Sequence, residues 1–234
     1  MPASQLLLHW KDPAAAGLYR AGVSLHSHTS CSKETFDFLP YICAKVSLLD
    51  AARVRYERRF QKARGYAIDY SSGWWTPPLT PLEAWRVESG QIRDTLRLRP
   101  LVSLTDHDSI EAAHRLHVLE ETRHAPVSVE WSVPLQTELH LGIHNLPAER
   151  AAGIMRELAA FTARPNRLRI GEILEWLHSI AGVLIVLNHP LWDEKRKGHA
   201  EHVRIAEDFI RSWRPFLHAL ELNGLRRWWE NGGS

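Results

Sequence analysis

The run Val23-Ser24-Leu25-His26-Ser27-His28-Thr29 sets two histidines two positions apart at the end of a short apolar stretch. In a strand, side chains at i and i+2 leave the same face, so His26 and His28 project side by side. Two neighbouring imidazoles can grip one divalent metal through their ring nitrogens. Four later strand-like runs carry residues of the same chemistry. Thr105-Asp106-His107-Asp108 closes one, Glu130 lies inside a second, His140 and His144 share a face of a third, and Asn188-His189-Pro190 follows a fourth. An acid in the middle of an apolar strand, as Glu130 is, costs free energy unless it meets a cation or a metal. A carboxylate shared between imidazole-rich sites suits Zn, Mn or Fe rather than Ca or Mg. Two such ions about 3.5 to 4 Å apart lower the pKa of a shared water and clamp a phosphate, which is what phosphate ester hydrolysis needs.

The elements that must position these groups alternate between strands and helices. Strands are expected at residues 101–105, 126–133, 138–146, 183–187 and 217–222, the last containing Glu221. The nearly all-apolar run at 183–187 reads as a strand buried on both faces of a parallel sheet. Helices are expected at about 46–64, from residue 81, and at 109–122, 149–162, 170–181 and 200–213. Thr80 is a good N-cap with Pro81 next and Glu83 completing a capping box, and Asp108 is expected to cap the helix that follows it. The 46–64 helix is basic, with Arg53, Arg55, Arg58, Arg59, Lys62 and Arg64 set against Glu57. It reads as a solvated face, or as an electrostatic guide for a phosphorylated substrate. Ser71 to Pro81 is a loop, and Trp74 and Trp75 in it pack on the body or form a lid. Strand–helix alternation implies right-handed crossovers, a parallel sheet, and a site at the strand C-terminal ends.

At 234 residues the chain can bury a substantial core. A net charge of +2 disfavours a dedicated nucleic-acid or membrane surface. Two cysteines, Cys31 and Cys43, make no disulfide framework, which suits a reducing cytoplasm. Residues 1–10 lack the pattern of a signal peptide, and no uncharged apolar run is long enough for a membrane helix.

In order and type, His26-x-His28, Thr105-Asp106-His107-Asp108, Glu130, His140-Leu141-Gly142 and Asn188-His189-Pro190 resemble the PHP (polymerase and histidinol phosphatase) family of metal-dependent phosphoesterases. The resemblance runs from about residue 22 to 224. It implies an α/β fold, a distorted (β/α)7 barrel, as a single domain over 1–234 with a long helical insertion at about 33–99. It also implies two or three divalent ions (Zn, Mn or Fe) and hydrolysis of a phosphate mono- or diester through a metal-bound hydroxide. By resemblance, His26 and His28 hold the first metal, Glu130 bridges the first and second, and His140 and His189 complete the second. His107 belongs to a third site, with Asp106 orienting a ligand or water beside it. The implied substrate is a phosphorylated small molecule or nucleotide, or the end of a nucleic acid.

Two departures from the family pattern stand out. Where the family carries an acid after the first His pair, this chain reads Cys31-Ser32-Lys33-Glu34, and the Lys33 ammonium is expected to replace part of the third metal's charge and contact the phosphate. No Asp-x-His follows Glu221, so the barrel is expected to be one strand short, with the missing strand beyond Ser234, or from a partner chain, or replaced by a different closure of the barrel. His144 is expected in a supporting role, Glu221 as a late ligand, and His202 as an ordinary packing or surface residue. The alternatives are a catalytically weak metal-binding module and a PHP-type nuclease.

Overall fold

The computed structural model describes residues 17–73, 75–195 and 197–221. Trp74, and the expected strand end at Leu222 with the tail to Ser234, lie outside the described residues. Six strands and seven α-helices are described: β1 (Ala21–Ser24), α1 (Leu39–Ala44), α2 (Ser47–Arg64), α3 (Pro81–Gly90), β2 (Arg99–Val102), α4 (Glu111–His117), β3 (Val127–Pro134), β4 (Glu138–Leu146), α5 (Ala148–Ala163), α6 (Arg167–His178), β5 (Leu184–Asn188), α7 (His199–Trp213) and β6 (Ala219–Leu220). No helix among the described residues is long and apolar enough to cross a membrane.

Alternation of side-chain type along the strands separates two faces. Val127, Val129, Trp131 and Val133 of β3, Leu139, Leu141 and Ile143 of β4, and Ile185 and Leu187 of β5 join one buried cluster with Ile154, Leu158 and Phe161 of α5 and Leu174 and Leu177 of α6. Each fully buried side chain of this size is worth about 1.5–3 kcal/mol, so this layer dominates the hydrophobic stabilisation. Intervening positions carry the buried polar side chains: Ser128 and Glu130 on β3, His140 and His144 on β4, and Asn188 on β5, on the face away from those helices. Every chemistry-bearing strand residue therefore lies on the face that the helices do not use.

β1 pairs β2 in parallel, and a second sheet runs β3-β4-β5-β6. The segment after β2 links the two. Ser103 N donates to Ser24 O (2.9 Å), Thr105 N to Ser27 O (2.9 Å), and Glu130 N to Asp106 O (3.1 Å). His107 and Glu130 form a parallel bridge. The expected all-parallel sheet needs correction at β4, which is antiparallel to both β3 and β5. The cause is the short turn between Pro134 and Glu138, since a parallel return needs a crossover of about a dozen residues or more. β6 is parallel to β5. Among the described residues no ladder closes β6 onto β1.

The 33–99 interval holds three α-helices rather than the expected two, α1 being the addition. The capping box of α3 forms as expected between Thr80 and Glu83. α4 is shorter than expected, and Ile110, not Asp108, stands at its N-cap. Asp108 has φ +48° and its Oδ1 accepts from Ser132 N (3.1 Å), so it ties the loop to β3 instead.

Candidate metal centre

Glu130 is the hub. It is fully buried, and its two carboxylate oxygens face five imidazoles. Oε2 lies 3.2 Å from His26 Nε2, 3.3 Å from His28 Nε2 and 3.4 Å from His107 Nε2. Oε1 lies 3.2 Å from His189 Nε2 and 3.8 Å from His140 Nδ1. All six residues expected to bind metal thus come together.

Parallel strands bring His26, His28, His107, His189 and Glu221 to their C-terminal ends, while reversed β4 supplies His140 from its N-terminal half. Three groups have ligand atoms close enough to share an ion: His26, His28 and Glu130; His107, Glu130 and His140; and His26, His189 and Glu221. The first is the expected first site with its bridging carboxylate. His107 groups with Glu130 and His140, and His189 groups with His26 and Glu221 while keeping its expected place beside Glu130. Glu221 also accepts from His189 N (3.2 Å) and stands 2.8 Å from His26 Nδ1.

Whether these donors fit a cation can be read from what they leave unmet. Glu130 Oε2 is near three ring nitrogens yet makes no directed hydrogen bond, and buried His28 Nδ1 has no partner among the described residues. A buried carboxylate oxygen without a partner costs several kcal/mol. A divalent ion among these imidazoles would satisfy it with N and O ligands of the appropriate type. Two of the imidazoles are held in the neutral, ligating form. Burial pushes His28 down to about 3 and His140 well below the usual imidazole value. His26 is the opposite case: burial opposes its charge, but the carboxylates of Glu130 and Glu221 outweigh it and push the ring up to about 10. Burial also opposes the Glu130 charge, and the surrounding histidines overcome it, holding the carboxyl well below its ordinary value.

A supporting layer fixes this cluster. Both oxygens of Asp106 take Thr29, Oδ1 from the backbone N and Oδ2 from the hydroxyl (2.7 Å), which anchors the residue following His28. Ser32 Oγ accepts from His107 N (3.1 Å), and Lys33 N donates to His107 O (3.0 Å), joining the same segment to His107. Asn188 Nδ2 donates to Glu130 Oε1 (2.8 Å). Gly142 pairs with Glu130 across the strands, and a Cβ there would meet His144 Nε2 at 2.7 Å and Asn188 Oδ1 at 3.0 Å. Absence of a side chain at Gly142 is what lets Asn188 reach Glu130. His144 bonds Ser103 Oγ through Nδ1 (2.7 Å).

The loop after β5 is held from outside the strands. His189 sits at φ +25°, a costly conformation directly before Pro190, and its carbonyl accepts from Trp192 N (2.9 Å). His202 of α7, expected to be ordinary, is buried and contacts Pro190 O through Nε2 (2.9 Å) and Thr137 Oγ1 through Nδ1 (3.3 Å). It fastens the His189 loop to the β3–β4 turn.

Beside the cluster opens a cavity of about 230 Å³ lined by Lys33, Glu34, Asp37, His107, His140, Glu194 and Lys195, among others. Lys33 is exposed and lines this cavity beside His107. Glu34 and Glu194 were not expected here. Burial pushes both carboxyls up, and Glu194 Oε2 stands 3.5 Å from His140 Nε2. Glu34 is the neighbour of Lys33 in the turn where an acid was missing, a signal within one residue of being found. Glu194 falls in the run Trp-Asp-Glu-Lys-Arg-Lys, which reads as solvated surface. No protein-family model and no curated protein matches this chain.

Proposed function

We propose that this chain is a metal-dependent phosphoesterase of the PHP type, with its strands arranged as a distorted, incomplete (β/α)7 barrel. The observation that carries this reading is the buried Glu130 carboxylate, ringed by His26, His28, His107, His140 and His189 with one oxygen lacking a directed bond. In the proposal these residues and Glu221 hold two or three ions, Zn, Mn or Fe. Bound there, such ions supply Lewis acidity toward water and the phosphate oxygens. Lys33 draws the phosphate into the cavity. Glu34, on the same wall and with its carboxyl held above the ordinary value by burial, gives a proton to the departing oxygen. Asp106, Asn188 and His202 position ligands without touching substrate. Two free cysteines fit a reducing, cytoplasmic setting.

Elemental analysis of purified protein, with hydrolysis of a chromogenic phosphodiester before and after chelation, tests the proposal. About two ions per chain are expected, with activity lost on chelation and restored by Zn or Mn. Glu130→Gln should lose the metal and at least about a thousandfold in rate. Metal-loaded wild type without turnover on mono- or diesters refutes the enzyme and leaves a metal-binding module; wild type that binds no metal refutes both.

A further inference from the structure

α2 is the anomaly of the fold. None of its 18 residues is buried. Its only acids, Asp50 and Glu57, are both taken by Arg53, at 2.6 and 2.5 Å. Arg55, Arg58, Arg59, Lys62 and Arg64 have no acidic partner among the described residues, and all are exposed. Arg55, Arg58, Arg59 and Lys62 fall at i, i+3, i+4 and i+7, a single stripe about 10 Å long. Arg55, Arg58 and Arg59 line a groove with Ala44, Ser47, Ala51, Val54 and Asp50, the carboxylate of Asp50 being paired with Arg53. A net charge of +2 for the whole chain hides this concentration, because acids elsewhere cancel it in the sum.

We propose that the α1–α2 insertion is a docking arm for single-stranded nucleic acid, its phosphates lying along the Arg55–Lys62 stripe. Charge complementarity commits the surface to a polyanion. Guanidinium groups, three of the four cations, match phosphate with two parallel donors each, where an ammonium offers a point charge. Tyr56, three positions from Arg59, is 63% exposed, and Tyr66 beyond the helix is 61% exposed. Both contact Phe60, with ring centroids 6.5 and 5.4 Å away, and their exposed remainder is aromatic surface of the kind that unpaired bases stack on. The apolar stripe of α2, Leu49, Ala52, Tyr56 and Phe60, faces the chain's own Leu39, Cys43 and Ile68 across a groove rather than standing free as it would on a membrane-surface helix. The arm also grows from the site itself: Phe38 lines the cavity beside His107, and α1 begins at the next residue. Delivery of a strand to that cavity rests on the phosphoesterase reading; binding by α2 does not.

The test is fluorescence anisotropy of a labelled oligodeoxynucleotide of about 20 nucleotides with full-length protein. Four phosphate contacts on a single strand give a salt slope of about −3, hence about 50-fold weaker binding at 200 mM than at 50 mM salt. The quadruple variant Arg55→Gln, Arg58→Gln, Arg59→Gln, Lys62→Gln keeps helix propensity and should lose at least that factor at 50 mM salt. Its circular dichroism, metal content and hydrolysis of a small chromogenic diester should match wild type. Equal binding by variant and wild type, binding that ignores salt, or binding to vesicles of anionic lipid with none to the oligonucleotide each overturns the inference. Salt-dependent, stripe-dependent binding without hydrolysis of any ester upholds the arm while refuting the phosphoesterase.

Discussion

Metal binding to this cluster should be strongly pH-dependent because of one residue. His26 is pushed up to about 10, so in the metal-free protein it is about 99% protonated at pH 8, whereas an ordinary imidazole would be about 3% protonated. A ring that ligates metal must first lose that proton. At pH 7 the loss spans about three pKa units, or about 4 kcal/mol, so affinity at the His26 sites is about a thousandfold below its limit. Affinity should rise about tenfold per pH unit up to about pH 10. His28, at about 3, and His140, far below the usual value, are already neutral and add no slope. The sign for folding is the opposite. A raised imidazole stabilises the metal-free fold fully below about pH 6.5, and that contribution is lost as pH climbs through about 10, so alkaline conditions weaken the apoprotein while favouring the metal form. Calorimetric Zn titrations at pH 8 in two buffers of different ionisation enthalpy count the proton directly. One proton is expected from His26, and His26→Asn should remove it while leaving any proton released by water. Identical proton counts in the two proteins, or affinity flat between pH 7 and 9, would refute the electrostatic reading of the cluster.

Three further outcomes follow from the supporting layer and the cavity. Gly142→Ala drives a methyl to 2.7 Å from His144 Nε2 and 3.0 Å from Asn188 Oδ1, and should cost about 1–3 kcal/mol in urea denaturation while lowering metal occupancy. His202→Phe strips Pro190 O of its 2.9 Å partner and should cost about 1–3 kcal/mol, with weaker metal binding that His202→Gln partly restores. Lys33→Ala should raise KM for a phosphomonoester about tenfold with kcat little changed; an unchanged KM would remove Lys33 from substrate binding.

The residues of the cluster were readable in the sequence because they break a pattern. His26, His28, His107, Glu130, His140 and His189 each interrupt or end a run of apolar residues, where a polar group is expensive unless something meets it. Most element positions were readable for a related reason, as period-two and period-3.6 alternation marks the core-facing residues of β3, β4, α5 and α7. Partnership was not readable. Asp106 beside His107 looks like a site residue, yet its oxygens face Thr29, 77 positions away in the chain. His202 looks like a surface histidine, yet it holds the carbonyl after His189. Glu194 looks solvated, yet it leans on His140.

Local chemistry along the chain thus determined which side chains can bind metal and which faces are apolar, because both depend on residue type and on spacing within a few positions. Only the tertiary structure decided how His26, Glu130, His189 and Glu221 combine, which way β4 runs, and that Glu34 and Glu194 share the cavity. Those outcomes depend on distances between segments tens to hundreds of residues apart, set by turn length and strand register rather than by any one stretch of sequence.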